Sequence, residues 1–321
     1  MKKIALLTSG GDSPGMNPCI RAIVRKAIWE KLEVVGIRRG FAGLMVGDFV
    51  NLKASSVSGI IHQGGTILKT ARSPLFKTEE GQIKALENLK RFNIEGLIVI
   101  GGDGSLRGAY ALNKRGIPTI GIPASIDNDI PGSDFSIGFF TAINTALEAI
   151  DKIRDTATSH ERLFIIEVMG RTSGFIALWA GLAGGAEDIF IPEKTLNLEE
   201  VCQRLEEGRR RGKTSSIIVT AEGDRSGRAF QIGEEIKKRV NYEVRVIVLG
   251  HIQRGGSPVA LDRIISSRLG VAAVDALIKG ERGKMVGICC EGIKIIPLQI
   301  IWKERKKINL DLYNLNQILA T

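Results

Sequence analysis

Gly96-Leu97-Ile98-Val99-Ile100-Gly101-Gly102-Asp103-Gly104-Ser105 is a short apolar run, too short for a helix, that ends in a cluster of glycines. The run reads as a strand buried on both faces, and the spacing over 106–114 after the glycines predicts a helix. Strand, glycine loop and helix together form the unit from which parallel sheets are built. The unit recurs along the chain. Strands are expected at 3–8, 33–38, 119–122, 163–169, 188–191, 216–221, 244–249 and 285–289, the last in the chain. Helices are expected from Met16 to Ile28 in spacing, and at 81–92, from Phe140 onward, 175–183, 198–211, 229–240 and 258–279. Residues 39–73 read as a glycine-containing loop, and the tail from Ile293 is apolar and basic without a period. This is an α/β chain in which ligands belong at the carboxyl ends of strands.

Those strand ends carry chemical groups. Gly11, Asp103, Asp127, Arg171, Glu222 and His251 occupy that kind of position one after another. Each alone is an ordinary loop residue; six of them argue for a cleft. In 101–105 the glycines let backbone amides approach a phosphate, and the helix start adds partial positive charge. Asp103 would repel a bare polyphosphate; it is either a solvated aspartate in a tight strand-to-helix turn or the partner of a hard cation such as Mg²⁺, bound by carboxylate and phosphate oxygens together. Pro123-Ala124-Ser125-Ile126-Asp127-Asn128-Asp129-Ile130-Pro131 reads first as an Asx turn. Its two carboxylates also suit a division of labour, one taking a proton from an attacking hydroxyl and the other orienting it or holding the metal. Arg72, Arg171 and the Gly11 amide are candidates to neutralise a transferring phosphoryl group. Arg162 and Arg245 begin their strands, which puts them roughly 20 Å from the cleft end. They are structural, or they complete the site of a neighbouring subunit.

Composition limits the partners. Charged residues make up 25% of the 321, the formal net charge is +10, and aromatics are only 5%. The basic residues are mixed with acids along helices and few rings are available for stacking bases, so a small phosphate ester fits better than nucleic acid. No apolar run approaches the roughly 18 residues of a membrane span. A soluble, cytoplasmic protein is expected, its four cysteines reduced.

Taken together, the blocks 8–17, 64–66 with Ala71-Arg72, 100–105, 125–130, 167–171, 222–223 and 250–258 resemble the bacterial ATP-dependent 6-phosphofructokinases, over nearly the whole chain to about Gly287. The resemblance implies two lobes, each a mostly parallel sheet flanked by helices, with the active site in the cleft between them. It divides the chain into a larger ATP-binding lobe, 1–138 and 251–301, and a smaller sugar-phosphate lobe, 139–250 and 302–321. It implies transfer of the γ-phosphoryl of MgATP to the 1-hydroxyl of fructose 6-phosphate, with Asp127 as base, Asp129, Arg72 and Arg171 assisting, and Asp103 as Mg²⁺ ligand. Gly11, Arg72, Ser73, Gly102, Asp103, Gly104 and Ser105 would contact ATP, with Phe41 and Phe76 beside the adenine. Ser125, Asp127, Met169, Gly170, Arg171, Glu222, His251 and Arg254 would hold the sugar phosphate, and Arg162 and Arg245 would reach it across a homotetramer interface.

The resemblance also implies an effector site for ADP or phosphoenolpyruvate from Arg21, Arg25, Arg154, Glu187, Arg211 and Lys213. Ala54, Gly59 and Ser215 replace the usual Arg, Asp and His there, so an altered response is expected. Ala124-Ser125 stands for the usual Gly-Thr, keeping a hydroxyl. Pyrophosphate-using relatives carry Asp at the place of Gly104 and Lys at that of Ala124, which favours ATP as donor. A nicotinamide oxidoreductase would need glycine where Arg107 stands. A catalytically silent sugar-phosphate binder is opposed by the presence of Asp103, Asp127 and Arg171.

Overall fold

The computed structural model describes residues 1–240, 242–290 and 292–320. The chain forms two compact units, 1–141 with 254–306 and 142–253 with 307–320.

In the first unit the elements run β1 (Lys3–Ser9), α1 (Met16–Trp29), β2 (Glu33–Ile37), α2 (Gly40–Val46), β3 (Phe49–Asn51), α3 (Glu79–Arg91), β4 (Gly96–Gly101), α4 (Asp103–Lys114) and β5 (Thr119–Pro123). The long helix α5 (Phe139–His160) leads into the second unit, with β6 (Leu163–Val168), α6 (Phe175–Ala183), β7 (Asp188–Phe190), α7 (Leu198–Arg210), β8 (Ser216–Ala221), α8 (Arg228–Lys237) and β9 (Val244–Val248). The chain returns through α9 (Ala260–Ile278), β10 (Lys284–Cys289), β11 (Gly292–Pro297) and α10 (Ile300–Lys303), and α11 (Leu310–Leu319) closes the second unit.

The larger sheet has the order β11-β10-β5-β4-β1-β2-β3, parallel except at its two edges. Successive residues of a strand face opposite sides. Ile4, Leu6, Ile98 and Ile100 accordingly enter the core shared with α1 and α9, and Ala5, Leu7, Leu97 and Val99 the core shared with α3 and α4. Burial on both faces is why these strands read as unbroken apolar runs. The smaller sheet, β7-β8-β6-β9, is parallel throughout and packs Leu163, Ile165 and Ile218 against Val201 and Leu205 of α7 and Ile232 and Ile236 of α8. This is the expected α/β architecture of mostly parallel sheets flanked by helices.

Two segments differ from expectation. The loop of 39–73 contains α2 and β3, hidden because Gly40, Gly43 and Gly47 interrupt any helical period. The tail adds an antiparallel edge strand, β11, whose exposure does not alternate, so the strand at 285–289 is not the last. No helix among the described residues is long and apolar enough to cross a membrane. All four cysteines are free thiols, and burial pushes that of Cys19 far up.

Asp262, fully buried in the first turn of α9, fixes the start of α5. Its carboxylate accepts from Gly138 N at 2.9 Å, Thr141 N at 2.7 Å and Thr141 Oγ1 at 2.6 Å. Burial pushes its pKa up, against the pull of these bonds. Asp262→Ala should therefore strand buried donors and cost about 3 kcal/mol. A melting temperature unchanged in differential scanning calorimetry would contradict that role.

Candidate functional site

In the first unit the site is built on three neighbouring parallel strands. The register pairs Ser9 of β1 with Gly101 of β4, and Gly101 with Pro123 of β5, so the loops after all three strands leave the same sheet edge side by side. Ala124 N donates to Gly101 O at 3.0 Å and carries the alignment one residue past β5. Asp103 and Asp127 thus emerge from adjacent strand ends.

Around them the loops interlock. Thr70 Oγ1 donates to Gly10 O at 2.7 Å, and the Thr8 and Thr66 hydroxyls lie 2.9 Å apart, which ties the glycine loop after β1 to the 64–73 segment. Gly11 touches Arg254: a Cβ on Gly11 would lie 2.5 Å from its Nη1, and that nitrogen donates to Asp12 O at 3.3 Å. Any side chain at position 11 would displace the guanidinium.

The glycines after β4 open the first turn of α4, with Gly102 at its N-cap, Asp103 and Gly104 exposed and Ser105 buried. Helix N-termini present backbone amides and partial positive charge to an anion. The Asp103 carboxylate is about half exposed and pairs with Arg107 one turn on, which donates through Nε and, at 3.3 Å, Nη2. Sequence reasoning misses Arg107 as a site residue, although the i,i+4 spacing of opposite charges is visible there.

Asp127 is buried while Asp129 is exposed. Ser125 Oγ links them, donating to Asp129 Oδ1 at 3.2 Å and accepting from Asp127 N at 3.3 Å. Between the two aspartates Asn128 adopts φ +51°, a left-handed conformation that Asn tolerates better than most residues. It is held there by its own amide, since Nδ2 donates to Asp134 O at 3.1 Å and Oδ1 accepts from Ser136 N at 2.9 Å. The segment does turn, but not as an Asx turn: the local bond over two residues is made by Ser125, and the Asn128 side chain bonds residues 134 and 136 instead of its own neighbours.

Phe41 and Phe76 are both buried and stacked on each other with centroids 4.0 Å apart. Each ring covers one face of the other, and edge atoms of both approach Gly108 of α4. Arg72 is exposed, and Ser73 Oγ accepts from Phe76 N at 3.3 Å.

In the second unit the carboxyl ends of β8, β6 and β9 gather Glu222, then Met169, Gly170 and Arg171, then His251. Arg171 N donates to Glu222 Oε1 at 3.3 Å, and Met169 N to Gln253 Oε1 at 3.4 Å. Gly170 has φ +140°, and a Cβ there would meet Ser173 O at 2.3 Å, so only glycine fits this turn. Buried Glu167 accepts from Ser226 Oγ, Gly227 N and Ala229 N, which caps α8. At the opposite, amino edge of the sheet, Glu243 bridges Arg162, at 2.8 Å, and Arg245. These two arginines are thus kept away from Arg171 of the same chain.

Of the residues expected at an effector site, Glu187 pairs with Lys213 at 2.8 Å, and Arg154 donates to Gly184 O and to Gly185 O at 2.8 Å. Arg211 is exposed, and Arg21 and Arg25 lie one turn apart on α1.

The model of the family described as Phosphofructokinase matches residues 3–277. The chain belongs to that family. Among curated phosphofructokinases it is 57% identical to the ATP-dependent 6-phosphofructokinase of Halalkalibacterium halodurans, over 100% of both chains. It is also 57% identical to that of Listeria welshimeri, again over 100% of both. Among solved structures, phosphofructokinase from Saccharomyces cerevisiae superposes with a TM-score of 0.88 at 34% identity, covering 94% of this chain and 45% of the yeast one. The present chain thus spans less than half of the yeast chain. A pyrophosphate-dependent phosphofructokinase from Marinobacter aquaeolei, 24% identical, shares the fold with a TM-score of 0.84, over 97% of this chain and 86% of that one.

Proposed function

We propose that this chain is an ATP-dependent 6-phosphofructokinase of glycolysis, acting in the cytoplasm, that transfers the γ-phosphoryl of ATP to the 1-hydroxyl of fructose 6-phosphate. The observation that carries the reading is the emergence of Asp103 and Asp127 from adjacent strand ends, in a chain 57% identical over full length to ATP-dependent 6-phosphofructokinases. Asp127 takes the hydroxyl proton as the sugar oxygen attacks the γ-phosphorus and the bond to ADP breaks, while Asp129 is set by Ser125.

Gly11, Ser73 and Gly102 to Ser105 cradle the phosphates, and Arg72 and Arg171 balance the charge that develops. Asp103 suits Mg²⁺, since a half-exposed carboxylate at a phosphate loop matches an ion that takes one or two carboxylates and completes its shell with phosphate oxygens and water. When bound, that ion would offset the charge on the phosphates. Among the described residues no cluster of three or more His, Cys, Asp or Glu side chains is placed to hold a metal ion.

Met169, Gly170, Glu222, His251, Ser125 and Arg254 are the proposed contacts of the sugar phosphate. Arg162 and Arg245 serve a neighbouring copy in a homotetramer. A donor-swap assay tests the reading: ADP should be released with fructose 6-phosphate, Mg²⁺ and ATP, and pyrophosphate should not replace ATP. Turnover with pyrophosphate alone would overturn it.

Effector binding is proposed to be weak. Replacing a cationic contact by Ala54 forfeits about 1.5–3 kcal/mol of binding to a phosphate. Initial rates titrated with phosphoenolpyruvate should fall little, and strong inhibition at sub-millimolar concentration would refute this.

A further inference from the structure

The tail that lacks a sequence period reaches the catalytic loop. Ile300–Lys303 packs beside α4, with Trp302 against Tyr110 at 4.9 Å between centroids and Arg107 over the Trp302 ring at 5.7 Å. The chain continues to Lys306, whose Nζ donates to Asp134 O at 2.7 Å. That carbonyl is also the acceptor for Asn128 Nδ2, the amide that holds the left-handed turn between Asp127 and Asp129. The remaining groups of Asp134 are fixed too: its N donates to Ile288 O at 2.7 Å, and its Oδ2 accepts from Cys290 N at 2.8 Å.

Lys306 therefore bonds a carbonyl that also seats the Asn128 side chain, one of the anchors of the loop beside Ser125 Oγ and Ser136 N. Facing its ammonium are the Asp134 and Asp129 carboxylates and the Cys289 thiol, with Lys294 of β11 acting on that same thiol. Burial pulls the ammonium down to about 7, against the two carboxylates that favour its charge.

We propose that Lys306 is a positioning residue for phosphoryl transfer: from the tail it anchors the Asp134 carbonyl that seats Asn128, and so keeps Asp127 and Asp129 aimed at the reacting hydroxyl. The inference rests on the kinase reading above, because it assigns Lys306 to the loop that carries the base. Through its bond to Asp134 O, Lys306 acts on the loop that carries the base, so the effect expected is on the chemical step.

The test uses the full-length chain with ATP, fructose 6-phosphate and Mg²⁺, comparing wild type with Lys306→Ala, Lys306→Met and Lys306→Arg. Misplacement of a catalytic group by about 1 Å costs up to about a hundredfold, so Lys306→Ala and Lys306→Met should each lose about ten- to a hundredfold in kcat. KM for ATP should stay within about twofold, since binding groups that do not move contribute equally in both states. Lys306→Arg, which keeps a donor and a charge, should recover most of the loss, and melting temperatures should show all three variants folded. A kcat for Lys306→Met equal to that of wild type would overturn the proposal. So would a loss that Arg does not relieve and that tracks a fallen melting temperature, since that is a purely structural tether. Inactive wild-type protein would instead refute the kinase reading itself, which separates the two failures.

Discussion

Asp127→Ser should lower kcat by about three orders of magnitude, the range removed with a general base, while the protein folds normally. Serine is smaller than aspartate and removes a carboxylate from a buried position without adding volume. The backbone of the turn is held independently, by Ser125 Oγ on the Asp127 amide and by the Asn128 side chain, so the loop should keep its course. An interaction needed in the transition state lowers kcat and kcat/KM together, which here means KM for ATP close to wild type. Steady-state kinetics beside a melting curve make the comparison. A kcat within about tenfold of wild type would show that proton transfer is not the task of Asp127.

Asp103→Asn should produce the second largest loss. The amide keeps the shape but not the charge, and a hard divalent ion prefers carboxylate oxygen. We expect kcat to fall by roughly a hundredfold or more, since charge on the phosphates is then poorly offset. The Mg²⁺ concentration giving half-maximal rate should rise together with it. Stability is a separate matter. The Asp103 pair with Arg107 has both side chains about half exposed, and such pairs contribute less than about 1 kcal/mol. Calorimetric titration of Mg²⁺ with a nucleotide into the variant reads binding apart from turnover. Unchanged affinity and unchanged rate would remove Asp103 from the metal role.

These two residues are legible in the sequence because the signal is local. A buried parallel strand writes itself as an apolar run, and the segment after it must be a loop at the carboxyl edge, which places β4 with Gly101 to Ser105 and β5 with Ser125 to Asp129. The amino-edge position of Arg162 and Arg245 comes from strand length in the same way.

The features that escape a sequence reading are encoded at long range or masked by glycine. Helix α2 has glycine at three places in and just after its seven residues, which erases the spacing that marks a helix. The role of Lys306 depends on a contact across 172 residues of sequence, in a tail whose apolar residues fit neither a period of 3.6 nor of 2. Arg107 stands where a dinucleotide loop needs glycine, and that negative reading hides its positive one as the partner of Asp103. The mutual stacking of Phe41 and Phe76 brings together residues 35 apart in sequence and is a packing outcome that composition does not announce.

The central claim is that one aspartate holds the metal-bound nucleotide and the other deprotonates the sugar. A crystal structure of the enzyme with Mg²⁺, a non-hydrolysable ATP analogue and fructose 6-phosphate tests it most directly. The account predicts Mg²⁺ at about 2.1 Å from an Asp103 oxygen, and the sugar 1-hydroxyl within about 2.6–3.2 Å of the Asp127 carboxylate. A complex with the ion away from Asp103, or with the hydroxyl turned from Asp127, would contradict it.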